Sequence, residues 1–290
     1  MLGSGFQTGA RRELGSHLGL GLTALALLAV VALSAPWLAG DASPLIPHAP
    51  ERSDLSATRE APSAAHWLGT DRLGRDLAAR LIHGTRVSLA VGLLTALIGV
   101  SLGIAIGAAS GFWGGWVDRV GGALTEALLC FPTLLLVLAI LHGGPPWIGE
   151  LPATLRIALI LGVAASPSIA RFARAECLRL KRSLYVEAAQ VAGAAPERVI
   201  RLHLLPGTIA PVSVAGAFTV AGAIGMEAAL SFLGLGVPPP AISWGALLAE
   251  AQGDPAWWLT IFPGCALFIA ILASNLVGEG LRRRVAGRAR

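Results

Sequence analysis

Several side chains in this sequence have chemistry beyond packing. Gly99-Val100-Ser101-Leu102-Gly103 matches the spacing by which serine hydrolases present a nucleophile. That pattern acts only on a sharp strand-to-helix turn, and here it stands inside a long apolar stretch, where glycine-rich helices produce it by composition. Glu126 and Glu227 also fall within apolar stretches. An ionisable group at membrane depth costs at least about 2.5 kcal/mol, so such groups face a protein interior or water. Each is therefore a candidate for a solute path, or for a hydrogen bond that glues neighbouring helices. His48, His66, His83 and His142 follow no metal-ligand spacing, so solvated or interfacial histidines are expected and no metal site. Cys130, Cys177 and Cys265 are odd in number and widely spaced, and read as small buried hydrophobes. The phosphate-binding Gly-x-x-x-x-Gly-Lys-Ser/Thr motif is absent from the sequence.

The elements that must position these residues are membrane helices. Hydrophobic residues make up 54% of the 290 and charged residues 13%, against roughly 25% charged in soluble domains. A helix needs about 20 apolar residues to cross the hydrocarbon core. Six stretches meet or approach this: 18–39, 87–112, 120–141, 151–170, 204–226 and 256–277. Glu126 in the third and Arg156 in the fourth weaken those two. The first stretch, behind Arg11 and Arg12 and ending in Ala32-Leu33-Ser34-Ala35, also invites a signal-peptide reading. Its apolar run exceeds the usual 7–15 residues and Pro36 suits a cleavage site poorly, so an uncleaved span is expected.

Of 22 basic residues, 21 are arginine. They flank the apolar stretches and form no continuous basic face, which argues against a nucleic-acid partner. If residues 1–17 are cytoplasmic, the inside segments hold fifteen basic residues and the outside segments six. The positive-inside rule then places both termini, including the basic tail 283–290, in the cytoplasm. All six outside arginines lie in residues 40–86, matched by six acidic residues.

Residues 40–65 are broken by Pro44, Pro47, Pro50 and Pro62 and read as extended loop. Leu73, Leu77 and Leu81, with arginines between them, predict a short amphipathic helix at the outer interface. Gly99, Gly103, Gly107 and Gly111 recur every four residues and predict a groove for close helix approach, either within the chain or at a dimer seam.

Residues 171–203 form the longest inside segment. Helix-favouring residues run to Gly193, which suits a left-handed helix terminus, and Pro196 stands where a new helix should begin. A bent helical pair is expected. Glu187-Ala188-Ala189, Gly193 and Leu205-Pro206 resemble the signature loop of binding-protein-dependent importer permeases, and His203 resembles the dipeptide, oligopeptide and nickel branch. Two further stretches point to that branch: His66-Trp67-Leu68-Gly69-Thr70-Asp71 with Leu73-Gly74-Arg75-Asp76, and Leu230-Ser231-Phe232-Leu233-Gly234-Leu235-Gly236 with Ser243-Trp244-Gly245. The similarity runs from about residue 66 to 282.

The resemblance implies an all-α integral membrane protein of six transmembrane helices with the fold of a type I ABC importer domain. It implies a bacterial cytoplasmic-membrane location and a role as half of a translocation pathway for peptides or a related solute, nickel included. Glu187, Ala188, Ala189, Gly193 and Pro206 would couple the chain to two separate ATPase subunits, which bind ATP and magnesium; this chain would bind no cofactor and hold no catalytic residue. A second related permease, an extracytoplasmic solute-binding protein and membrane lipid are the other expected partners. Two readings from other classes are an intramembrane enzyme using Ser101 and a proton-coupled carrier using Glu126 or Glu227.

Overall fold

The computed structural model describes residues 4–41 and 43–288. Of the predicted end segments, residues 1–3 and 289–290 lie outside the described residues, as do the side chains of Arg11 and Arg12. Ten α-helices follow in chain order: α1 (Ser4–Leu38), α2 (Leu77–Trp113), α3 (Gly115–Leu129), α4 (Thr133–Gly143), α5 (Ala153–Lys181), α6 (Leu184–Val191), α7 (Pro196–Val199), α8 (Leu205–Phe232), α9 (Trp244–Glu250) and α10 (Trp257–Arg288). Among the described residues five helices are long and apolar enough to cross a membrane, and six spans result if α3 and α4 count as one broken span.

The centre of the bundle is the pair α2 and α5, which run in the same direction. At 37 residues, α2 is about 55 Å long and outreaches a hydrocarbon core of about 30 Å. Gly99, Gly103, Gly107 and Gly111 line its face against α5. A Cβ on Gly103 would stand 2.6 Å from Ile169 Cβ, and one on Gly111 would stand 2.9 Å from Cys177 Cβ. Of the two readings of the stripe, the close approach is within the chain.

Antiparallel to this pair, α8 packs Val220 and Ile224 into the space left at Gly92. On the outer side of α8, Gly278 of α10 meets the Phe218 ring. Finally α1 lies against α10, with Gly21 facing Ala273 and Val277, and Leu18 facing Gly280. One end of the bundle therefore gathers residues 39–76, 144–152 and 233–256, and the other gathers residues 114, 182–204 and the last turns of α10. Trp37, Trp147 and Trp257 are exposed at the first end, Trp113 and Trp116 at the second. Indole rings at two levels are the expected anchors at two membrane interfaces.

Four sequence expectations change. The stretch 120–141 is not one straight span, because α3 and α4 meet at 101°. Pro132 has no amide hydrogen and keeps Phe131 out of the helical region, so the helix stops and restarts. Helix α5 continues past the predicted span end at residue 170 to Lys181, so the break before the next long helix is confined to residues 182–195, with α6 inside it. The separate amphipathic helix is missing: residues 70–76 form a turn and Leu77 opens α2 directly. Asp71 Oδ1 accepts the amide hydrogens of Leu73 (2.8 Å) and Arg75 (3.0 Å), Gly74 has φ +71°, and Asp76 caps α2 by accepting from Ala79 N at 2.8 Å. These local bonds compete with a helical turn. Of the cysteines, Cys177 is buried but Cys130 and Cys265 are exposed on the bundle surface. Hydropathy alone does not separate a buried position from a lipid-facing one.

Candidate functional site: an exposed hairpin at one end and an uncharged cleft within the bundle

Helix α6 ends at Gly193, whose φ is +78°. Gly193 N donates to Gln190 O at 3.0 Å and Ala194 N to Ala189 O at 3.0 Å. This pair of bonds is the Schellman closure, which uses a left-handed residue to satisfy the last carbonyls of a helix. Pro196 then takes the first position of α7, where its missing N–H leaves no bond unmade. Residues 200–204 form one π turn that leads into α8.

The hairpin is mounted firmly. Val186, Val199 and Leu204 pack with Phe112, Cys177 and Leu180, joining it to the ends of α2 and α5. Lys181 Nζ donates to Phe112 O at 2.6 Å and ties α5 to the last turn of α2. Large apolar side chains face outward: Leu184 is 83% exposed, Val191 89% and Tyr185 48%. Glu187, Ala188, Gly193 and Pro206 are exposed as well, while Ala189 is half-buried. Sequence reasoning found the acidic, small and bend-forming residues here but passed over Leu184 and Val191. Their signal is an apolar residue on the face opposite the buried Val186.

A cleft of about 500 Å³ opens among α2, α5 and α8. Thr95, Thr133, Ser168, Thr219, Phe218 and Met226 are among its lining residues, and none of the lining residues is charged. Glu227, a predicted path residue, is not among them. It is fully buried, and its Oε1 accepts from Ser231 Oγ at 2.7 Å one turn along α8. Glu126 is exposed on α3 and lines a second cavity of about 400 Å³ near the hairpin end, with Asp118, Arg119, Arg171 and Arg174. Ser101 sits in the unbroken interior of α2, with no turn to present it.

The first end of the bundle is held by charge. Arg80, only 4% exposed, donates Nη1 to Asp71 Oδ2 at 2.8 Å and Nη2 to Glu250 Oε1 at 2.9 Å. Arg75 joins both acids at 2.7 Å. Burial pushes the Glu250 carboxyl up, but Arg80 and Arg75 outweigh it and hold it below its ordinary value. Nearby, Arg59 Nε meets Asp254 Oδ2 at 3.0 Å. Fully buried Trp244 receives the other motif: its backbone N donates to Ser88 Oγ and its indole to Leu81 O, both at 3.1 Å. Gly245 lets α9 lie on α8, since a Cβ there would stand 2.5 Å from Ala228 Cα. The charged and glycine-containing stretches singled out in the sequence thus bind residues 59–80 to residues 243–254.

An all-helical bundle with glycine-mediated packing, a broken span and a mounted hairpin at one end defines a polytopic membrane protein. Residues 87–290 match the family of binding-protein-dependent transport system inner membrane components, and the chain belongs to that family. It is 38% identical over 280 residues to the glutathione transport system permease protein GsiD of Pectobacterium atrosepticum, covering 94% of this chain and 87% of the relative. A putative peptide transport system permease protein of Brucella suis is 38% identical over 265 residues, covering 91% and 85%. Among solved structures, an inward-facing form of the MetNI methionine ABC transporter aligns with TM-score 0.58 at 21% identity, over 71% of this chain and 96% of that one. An amino acid ABC transporter crystallised with histidines aligns at 0.54 and 19% identity, covering 71% and 94%. The chain is the permease component of a binding-protein-dependent ABC importer and a multi-pass membrane protein.

Proposed function

We infer that this permease carries a peptide-sized solute inward and is driven through the α6–α7 hairpin by separate ATPase subunits, with both termini and the hairpin in the cytoplasm. The observation that carries this reading is the hairpin itself: Leu184 and Val191 point away from the bundle while Val186 and Val199 anchor the same element. Apolar residues held out on a rigid mount suit insertion into a groove of a second protein. A push on such a mount reaches α2, α5 and α8 together, because the cluster beneath it joins all three, and rigid rocking of packed helices is how this class of change proceeds.

The solute class is inferred from the peptide and glutathione relatives and from the 500 Å³ uncharged cleft, in which threonine and serine hydroxyls offer weak, exchangeable hydrogen bonds. A pathway needs such weak sites, since a solute bound tightly does not leave. The cleft is open on one side of this chain, which supports a second, related permease completing the pathway. ATP and magnesium belong on the ATPase subunits, and an extracytoplasmic binding protein delivers the solute. Ser101 has no turn to present it as a nucleophile, and of the two carrier candidates Glu227 is buried away from the cleft while Glu126 lines the cavity near the hairpin and not the cleft, so the permease reading is favoured over the hydrolase and proton-carrier ones.

Co-purification tests the hairpin. Val191→Asp and Glu187→Arg leave the chain inserted and folded, because both positions are exposed, and they reduce recovery of the ATPase by at least about tenfold, the equivalent of about 1.4 kcal/mol. Phe268→Ala, exposed at mid-span in α10, recovers it normally. Full ATPase recovery with both hairpin variants refutes the docking role.

A further inference from the structure

The outer loop and the start of α2 bring together three side chains that lie far apart in the sequence. One donor atom from each of His48, His66 and Asp76 falls within 4.8 Å of the others. His66 Nδ1 lies 2.8 Å from Asp76 Oδ2, and the two imidazole rings stand 4.6 Å apart between centroids. Among the described residues no other three histidine, cysteine or acidic side chains gather this closely. The sequence predicted no metal site, because spacings of 18 and 10 residues fit no ligand motif; the fold supplies the proximity instead.

Two independent features point to a cation at this place. The Asp76 side chain is 1% exposed and, among the described residues, contacts no arginine or lysine within ion-pair distance; its only charged or chargeable partner is His66. A buried carboxylate needs a positive partner, and its neighbours Arg75 and Arg80 are both spent on Asp71 and Glu250. Asp76 is also already fixed, since Oδ1 caps α2 through Ala79 N while Oδ2, which faces His66 Nδ1, is the oxygen turned toward the cluster. Beside the cluster lies a cavity of about 300 Å³, lined by His48, Trp67 and Asp76 among others, with room for a water at an open coordination position.

We propose that His48, His66 and Asp76 bind one divalent transition-metal ion, with zinc as the probe, which clasps residues 45–48 and 63–66 onto the amino terminus of α2. Two imidazoles and one carboxylate form a donor set suited to zinc or nickel over magnesium or calcium, which take oxygen ligands. Tetrahedral zinc with bonds of about 2.0–2.1 Å needs donors about 3.3 Å apart. The His66–Asp76 pair, 2.8 Å apart as a hydrogen bond, opens slightly when a metal takes the place of the shared proton, and a rotation of the half-buried His48 ring closes the third side. His48 Nε2 now rests 3.3 Å from the Ala65 carbonyl, a long contact that such a rotation gives up at little cost.

The test is zinc competition against a chromogenic chelator, with the full chain in nanodiscs and any purification tag of histidines removed. One zinc equivalent per chain is expected. His48→Ala lowers its affinity by at least about tenfold, since even an outer-shell change costs about 10–100-fold. His83→Ala and His142→Ala, both outside the cluster, leave it unchanged. Zinc also slows hydrogen exchange in residues 43–50 of the unaltered chain and not in His48→Ala. His48 lies on a loop and is not needed for the Asp76 cap, so its removal spares the fold, and an unchanged elution volume confirms that. No zinc equivalent in the unaltered chain, an affinity indifferent to His48→Ala, or equal losses in the control variants overturns the proposal.

Discussion

Arg80 illustrates how one side chain decides the shape of an end of this molecule. It is buried between Asp71, nine residues before it, and Glu250, 170 residues after it, and together with Arg75 it holds Glu250 against the start of α2. Arg80→Ala leaves Asp71 and Glu250 facing Arg75 alone. Breaking a buried pair costs roughly 3–5 kcal/mol, and the lower figure applies because Glu250 keeps contact with water. The expected outcome is a fall in the melting temperature of the detergent-solubilised chain, with faster proteolysis in residues 51–75. The same attachment depends on pH. The Glu250 carboxyl is held below its ordinary value of 4.5, so its contribution is complete above that value and disappears as the pH falls through the lower one. The wild-type melting temperature therefore drops in that acid range, and a Glu250→Gln chain shows a smaller drop. None of this pairing was legible in the sequence, where the charges of residues 40–86 appeared as a balanced set without partners. Long-range ion pairs leave no local pattern.

Helices were legible to the extent that lipid makes them obligatory. Backbone polar groups in hydrocarbon must bond within their own segment, so apolar length alone located α1, α2, α5, α8 and α10. Where backbone chemistry interrupts that rule, hydropathy misled: Pro132 breaks a stretch that reads as one span, and α5 runs on beyond the membrane because nothing stops it before Arg182. The four-residue glycine repeat was legible, and its partner became visible only in the fold. A Cβ on Gly107 would stand 2.3 Å from the Ala170 carbonyl oxygen, and backbone cannot swing aside as a side chain can. Gly107→Leu should cost at least about 3 kcal/mol, the upper end for overpacking, and reduce folded yield in fluorescence-detected size-exclusion chromatography. Gly122→Ala, which meets nothing within 4 Å on α3, should be neutral or stabilising, since alanine favours helix over glycine by about 1 kcal/mol. Equal yields for the two would show that the α2–α5 seam is looser than described.

As a whole, the molecule is a set of long helices locked at one end by arginine–carboxylate pairs and finished at the other by a hairpin on an apolar footing. The sequence revealed the hairpin through Gly193 and Pro196, whose backbone restrictions act locally. It could not reveal the outward direction of Leu184 and Val191, which depends on Val186 and Val199 finding Phe112 and Leu180. Tightly packed bodies switch between arrangements more readily than they deform, so under the proposed function force applied at the hairpin would reach the cleft as a rigid displacement. The most direct measurement is labelling of Val191→Cys, in a chain whose three natural cysteines are replaced by alanine, with a membrane-impermeant maleimide. Labelling in inside-out vesicles that is blocked when the ATPase subunits are added back is the predicted result. Labelling in right-side-out vesicles, or labelling indifferent to the ATPase, would contradict the account.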